Sequence, residues 1–207
     1  MTSRNSPVDH NARASRHVQK NASFTKMATS SYYDLDAILT DSQKIPCTFE
    51  LTVPSLGYLS GNVGEDVKSG AKLELPLWLG EMLAVNRIAG DTTFLTMDMP
   101  AALSKRVINA LKADPKTVQI RAQAPHFYGL GARMLELFDE EELVEILTET
   151  FKKRAIEIAD KASNSRNLIS EGGEWMKGLD EEERVLFRSA HEGGTAVRKW
   201  FDSANRT

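Results

Sequence analysis

The sequence predicts an α+β protein, a small β-rich N-terminal domain followed by an α-helical C-terminal domain, and three observations carry that prediction. Between Ile45 and Met99 apolar residues recur at every second position, with glycines as punctuation. From Leu103 to Phe201 they recur three to four apart. In the stretch from Gly70 to Leu83 one period passes directly into the other.

That transition organises the chain. Ala71, Leu73 and Leu75 share one face of an extended segment and Lys72 and Glu74 the other, which predicts a half-buried strand. Pro76 ends the strand because it lacks a ladder donor, yet it suits the start of a helix, and Leu77, Trp78, Met82 and Val85 continue at helical spacing.

The remaining elements follow in order. Residues 1–30 are rich in Ser, Asn, Thr, Arg and His and show no period, so a disordered leader is expected, a solvated tail rather than a tether or import signal. Residues 31–99 form the expected β-rich domain. Asp34 is positioned to cap a short helix carrying Leu35, Ile38 and Leu39 on one side. Ile45 to Val53 alternates without a break and predicts a strand, with Pro46 suggesting an edge strand or a strand entry. Gly57, Gly61, Gly64 and Gly70 mark turns around a short strand at Tyr58 and Leu59, and residues 86–91 read as a turn before a strand over Thr93–Met99.

Residues 100–205 form the expected helical domain. Leu103, Val107, Ile108 and Leu111 make a stripe that Asp114 and Pro115 stop. Thr117–Arg121 reads as extended. One long helix is expected to start near Met134 and to run through Leu143, Leu147, Phe151 and Ile158. Residues 162–177 look like a loop, after which Leu179, Asp180 and Glu183 have the spacing of a staple and a capping box. The last helix carries Val185, Leu186, Ala190, Val197, Trp200 and Phe201, with Gly193 and Gly194 as a place to bend or break.

Bulk properties narrow the function. Among 207 residues 41% are apolar and 27% charged, ordinary for a globular chain, and the net charge of −3 argues against a surface that is wholly a nucleic-acid footprint. One cysteine, Cys47, rules out an internal disulfide and points to an intracellular protein. No apolar run reaches the length of a membrane span, and no signal-peptide core is evident.

Three ordered segments resemble a known family. Tyr32–Leu39 with Lys44–Pro46 and Val53–Gly57 is similar to the opening of the third partner-of-Sld-five family of eukaryotic GINS replication-complex subunits. Lys72-Leu-Glu-Leu-Pro-Leu-Trp-Leu79, with Leu73, Leu75, Pro76, Leu77 and Trp78, resembles its hallmark. Pro125, His126, Phe127, Tyr128 and Gly129, continuing to Leu130 and Gly131, resemble its second signature. The resemblance implies a non-enzymatic scaffold subunit of a heterotetramer, located in the nucleus. Its implied partners are three sibling GINS subunits, the minichromosome maintenance helicase ring and that ring's cell-division-cycle cofactor, with DNA contact indirect or weak. No cofactor, membrane or small-molecule substrate is implied.

The residues offer little else. Gly129 and Gly131 lack the third glycine and the Lys-Ser/Thr of a nucleotide loop, so a structural turn is expected there. His10, His17, His126 and His191 have no metal-ligand spacing, and Cys47 sits on an apolar strand face. The acidic run Asp139–Glu142 suits a helix N-terminus, and Lys105–Arg106 and Lys152–Arg154 suit solvated helix faces. A nucleic-acid-binding module and a small hydrolase or transferase remain the competing classes. The helical stripes are either the domain's own core or an assembly surface; the resemblance favours the surface and designates Leu143, Leu147, Phe151, Val197, Trp200 and Phe201 as interface residues.

Overall fold

The computed structural model describes residues 33–86, 92–163 and 175–204. The expected leader, most of the turn over 86–91 and most of the loop over 162–177 lie outside the described residues. The chain divides into two compact units, Met1–Pro100 with Ala132–Glu140, and Ala101–Gly131 with Glu141–Thr207.

The first unit is built on an antiparallel sheet of strands β1 (Lys44–Phe49), β2 (Lys72–Pro76) and β3 (Leu95–Met97) in the order β2-β1-β3. β1 is therefore central, not an edge, although it contains Pro46. Its ladder with β3 covers only Cys47 to Phe49, and Pro46 accepts from the Asp98 amide at 2.9 Å where β3 has ended, so the missing proline donor removes no interior rung. β1 also stops earlier than its alternation predicts: after Phe49 the chain turns away, and Val53 makes an isolated bridge to Val67. The expected strand at Tyr58 and Leu59 is instead a 3-10 turn over Gly57–Ser60.

Ile45, Cys47, Phe49, Leu75, Leu95 and Met97 point to one side of the sheet and are almost completely buried. Helix α2 (Leu77–Val85) follows β2 without a loop, Pro76 standing at its N-cap, and it packs on β1 and β3. The approach is close at Gly80, where an added Cβ would lie 3.2 Å from Cys47 Sγ. Helix α1 (Leu35–Asp41) starts at Asp34, whose carboxylate accepts from the Asp36 amide at 3.1 Å.

In the second unit a 3-10 turn (Ala101–Leu103) leads into α3 (Lys105–Ala113), which is followed by α4 (Ile120–Gln123), where an extended piece was expected. The long helix expected from Met134 is two helices. The first, α5 (Phe127–Leu137), begins inside the Pro-His-Phe-Tyr signature, and the second, α6 (Glu141–Ser163), begins at the acidic run. Two acidic side chains, Glu141 and Glu142, in the first turn of α6 favour a helix start there over a helix continuing through. The last helix, α7 (Glu181–Ala204), passes through Gly193 and Gly194 without interruption. α6 and α7 form the most extensive helix pair.

Candidate assembly surface

The second signature is held by a buried polar network. Arg154 of α6 reaches Glu183 of α7 through two bonds, Nε to Oε1 at 2.5 Å and Nη2 to Oε2 at 2.8 Å. Its Nη1 also donates to the carbonyls of Pro115 and Val118 at 3.0 and 3.1 Å. Tyr128 donates its hydroxyl to Glu183 Oε1 at 2.9 Å, and Asp180 accepts from the Phe127 amide at 2.9 Å. Burial raises the pKa of the Tyr128 hydroxyl, and the negative Glu183 beside it adds to the effect. Burial likewise raises the Asp180 carboxyl, against the pull of the Phe127 and Tyr128 amides.

The expected capping box is half present. Glu183 accepts from the Asp180 amide at 3.1 Å, but the Asp180 carboxylate turns to the start of α5. Leu179, the expected staple residue, is buried. Apart from Asp180 Oδ2, which is buried without a hydrogen-bond partner, the polar groups named here pair with one another, so the network joins α5, α6 and α7. Sequence reasoning placed Arg154 on a solvated face. A lone arginine among apolar residues three to four apart was the available signal, and its partner Glu183 lies 29 positions away.

Gly131 completes the signature. An added Cβ would come within 2.6 Å of Leu147 Cδ1, so this glycine lets α5 lie against α6. The glycines are within a helix and make no turn, unlike the sequence expectation.

In the first hallmark Leu75 and Leu77 are buried, Leu73 and Pro76 are half-buried, and Trp78 is 52% exposed. In the second, Phe127 is buried, His126, Tyr128 and Gly129 are half-buried, and Pro125 is exposed. The six residues assigned to a subunit interface separate. Leu143 and Leu147 are buried in the second unit's own core, so they correct the expectation: α6 carries two adjacent apolar stripes, and theirs is the inner one. Phe151 is on the margin, its ring edge-to-face with Tyr128 at 5.2 Å. Val197, Trp200 and Phe201 are 54%, 64% and 56% exposed. Every residue from Ala196 to Ala204 is exposed, and the last bond to α6 is from Arg198 Nη2 to the Ser163 carbonyl at 3.4 Å.

A second apolar face was missed. On the first unit Leu35, Ile38 and Leu39 of α1 and Trp78, Met82 and Val85 of α2 are all at least 40% exposed. The stripe on α1 thus faces solvent, not the sheet. α2 has a single charged residue, Glu81, and a helix apolar all round is one built to be covered on more than one side. Nearby, Arg133 binds Asp41 at 2.9 Å, Glu81 at 2.6 Å and also Glu136, which fixes α1 and α2 on α5 within the first unit.

Hollows occur among the described residues. One of about 520 Å³ is lined by residues including Arg121, Trp175 and Lys177, and one of about 420 Å³ by residues including Arg184, Phe187 and His191. Neither gathers a nucleophile and a base. Cys47 lies far from a reactive state, its thiol pushed up to about 11 mainly by burial. Among the described residues no group of three His, Cys, Asp or Glu is arranged for a metal, and no helix is long and apolar enough to cross a membrane.

The PSF3 N-terminal domain matches residues 33–85 and the GINS complex protein helical bundle domain matches residues 102–202. The chain belongs to the PSF3 family of GINS complex subunits. A DNA replication complex GINS protein PSF3 from Phaeosphaeria nodorum is 60% identical over 177 residues, covering 86% of this chain and 99% of that protein. Its counterpart from Aspergillus fumigatus is 57% identical, covering 85% and 99%. That from Schizosaccharomyces pombe is 37% identical, covering 84% and 99%. Membership makes this PSF3-family chain a non-catalytic subunit of a DNA replication complex, and its three-stranded sheet domain and helical bundle are the family's two parts.

Proposed function

We propose that this PSF3-family chain serves as a scaffold within a GINS heterotetramer, that its exposed apolar faces are covered by three sibling subunits, and that the assembled complex works in the nucleus beside the minichromosome maintenance ring and its cell-division-cycle cofactor. Nucleotide hydrolysis belongs to the ring. The observation that carries this reading is the end of α7, where Val197, Trp200 and Phe201 are more than half exposed. A free helical segment of that length is marginal in water, so it gains order when its apolar side is taken up by another chain. Trp78, Met82 and the α1 stripe supply a second face of the same kind. The charge of −3 supports a protein partner over a phosphate backbone.

Co-expression with the three siblings, followed by native mass measurement, tests this. A 1:1:1:1 species is expected, whereas the chain made alone is expected to aggregate. A well-behaved monomer indifferent to its siblings contradicts the proposal, and affinity for DNA that falls steeply with salt in the isolated chain would favour a nucleic-acid-binding module instead.

A further inference from the structure

The first turns of α7 stand beside more positive charge than the neighbouring carboxylates neutralise. Of the two hollows described above, one has Arg121, Trp175 and Lys177 in its wall and the other Lys177, Arg184, Phe187 and Arg188, so they meet at Lys177. All these residues belong to the second unit. Together the hollows hold four cationic side chains, Arg121, Lys177, Arg184 and Arg188, against two carboxylates, Glu181 and Glu192, in a chain whose net charge is −3.

One of those carboxylates is already shared. Arg121 Nη1 and Arg184 Nη1 both approach Glu181 Oε2, at 3.3 and 3.6 Å, so a single negative charge serves two guanidinium groups. Arg184 Nη2 donates to the Met176 carbonyl at 3.1 Å, while its Nε is buried with no hydrogen-bond partner. Lys177 and Arg188 are exposed, and no ion pair among the described residues includes either of them. Between the cations lies a fixed aromatic floor. Trp175 meets Phe187 edge-on at 5.9 Å, and Phe187 stacks on His191 at 6.1 Å. Lys161, paired with Glu157 at 3.1 Å, lies 4.2 Å above the Trp175 ring and holds it in place.

We infer that these two hollows form one docking site for an acidic peptide segment of a protein outside the four-subunit complex. An apolar residue of that segment rests on Trp175 and Phe187, and Asp or Glu side chains on either side of it meet Lys177, Arg184 and Arg188. Charge complementarity selects the occupant: clustered arginines and a lysine recognise acidic motifs through charge-assisted bonds, and the aromatic floor gives an apolar anchor a place to leave water. A continuous nucleic-acid backbone fits less well, because Glu181 and Glu192 interrupt the basic surface. The site goes beyond the assembly reading, which uses the far end of α7. Arg188 and Trp200 are twelve residues apart along that helix, about 18 Å.

The test uses the co-expressed complex, its 1:1:1:1 composition first checked by native mass measurement, and a fluorescein-labelled Asp-Glu-Leu-Phe-Asp-Asp peptide followed by anisotropy. Saturable binding is expected, with none for the uncharged counterpart Asn-Gln-Leu-Phe-Asn-Asn. Lys177→Glu and Arg188→Glu alter exposed, unpaired side chains, so they should leave the complex whole and each weaken binding about tenfold. Lys72→Glu, an exposed cation of the first unit, should change nothing. No binding of the acidic probe, or equal affinity for every variant, overturns the site. Displacement of the peptide by oligothymidylate, with the same dependence on Lys177 and Arg188, assigns the surface to a phosphate backbone and overturns the choice of occupant. Loss of the 1:1:1:1 species in both variants puts the hollows inside the assembly and overturns the inference as well.

Discussion

Arg154 and Glu183 show how a single ion pair fixes helix positions without serving chemistry. Removing two charges from water is costly, and the return comes from the paired geometry with the two backbone carbonyls also bonded to Arg154. Arg154→Met leaves Glu183 buried and unpaired and is expected to cost about 3–5 kcal/mol, seen as a fall in the melting temperature of the complex. Arg154→Met with Glu183→Leu should recover much of that loss. Asp180 gives a pH dependence of known sign. Its carboxyl pKa is raised in the folded state, so the folded form holds the proton more tightly than the unfolded chain does. Its contribution therefore favours folding at acid pH and is lost as the pH rises through the folded value. Asp180→Asn, which keeps an oxygen for the Phe127 amide, should gain stability relative to the unaltered protein as the pH is raised from about 4 to about 7. Melting curves across that range check it. Cys47, with its thiol pushed up to about 11, should resist alkylation at neutral pH until the protein is unfolded.

At the scale of elements, period was a good guide and burial was not. The passage from β2 through Pro76 into α2 was legible because alternation and helical spacing meet there within a few residues. α3 and the start of α7 were legible for a similar reason, a stripe bounded by Asp114 and Pro115 in one case and Asp180 and Glu183 in the other. The break between α5 and α6 was not, since apolar residues continue across it and only the charges at its far side mark a new start. Nor was the exposure of Leu35, Ile38 and Leu39, because a stripe fits a core and a partner equally well. Of the residues assigned to a surface, Val197, Trp200 and Phe201 are exposed, whereas Leu143 and Leu147 are buried on the inner stripe, Leu147 against Gly131 of α5, which spacing alone does not reveal. Gly131→Leu should prevent α5 from seating on α6, and Gly131→Ala should destabilise the fold by about 1–3 kcal/mol, with partial rescue by Leu147→Val. Thermal melting of the complex reads both.

At the scale of the molecule, each compact unit has its own core and its own uncovered apolar face. The first unit buries one side of a small sheet under α2 and leaves Trp78, Met82 and Val85 outside; the second buries the inner stripes of α6 and α7 and leaves Val197, Trp200 and Phe201 exposed. Apolar area of this kind is the raw material of obligate assemblies, in which folding and association share one driving force. The double change Trp200→Ala with Phe201→Ala removes the largest side chains from the end of α7 without touching the core, so it should release siblings while leaving the helical content unchanged. Hydrogen exchange of the amides from Ala196 to Ala204 in the purified complex tests the central claim most directly. The account predicts slow exchange there, comparable to the buried middle of α6. Exchange as fast as in a free peptide, in a complex that is otherwise whole, would contradict it.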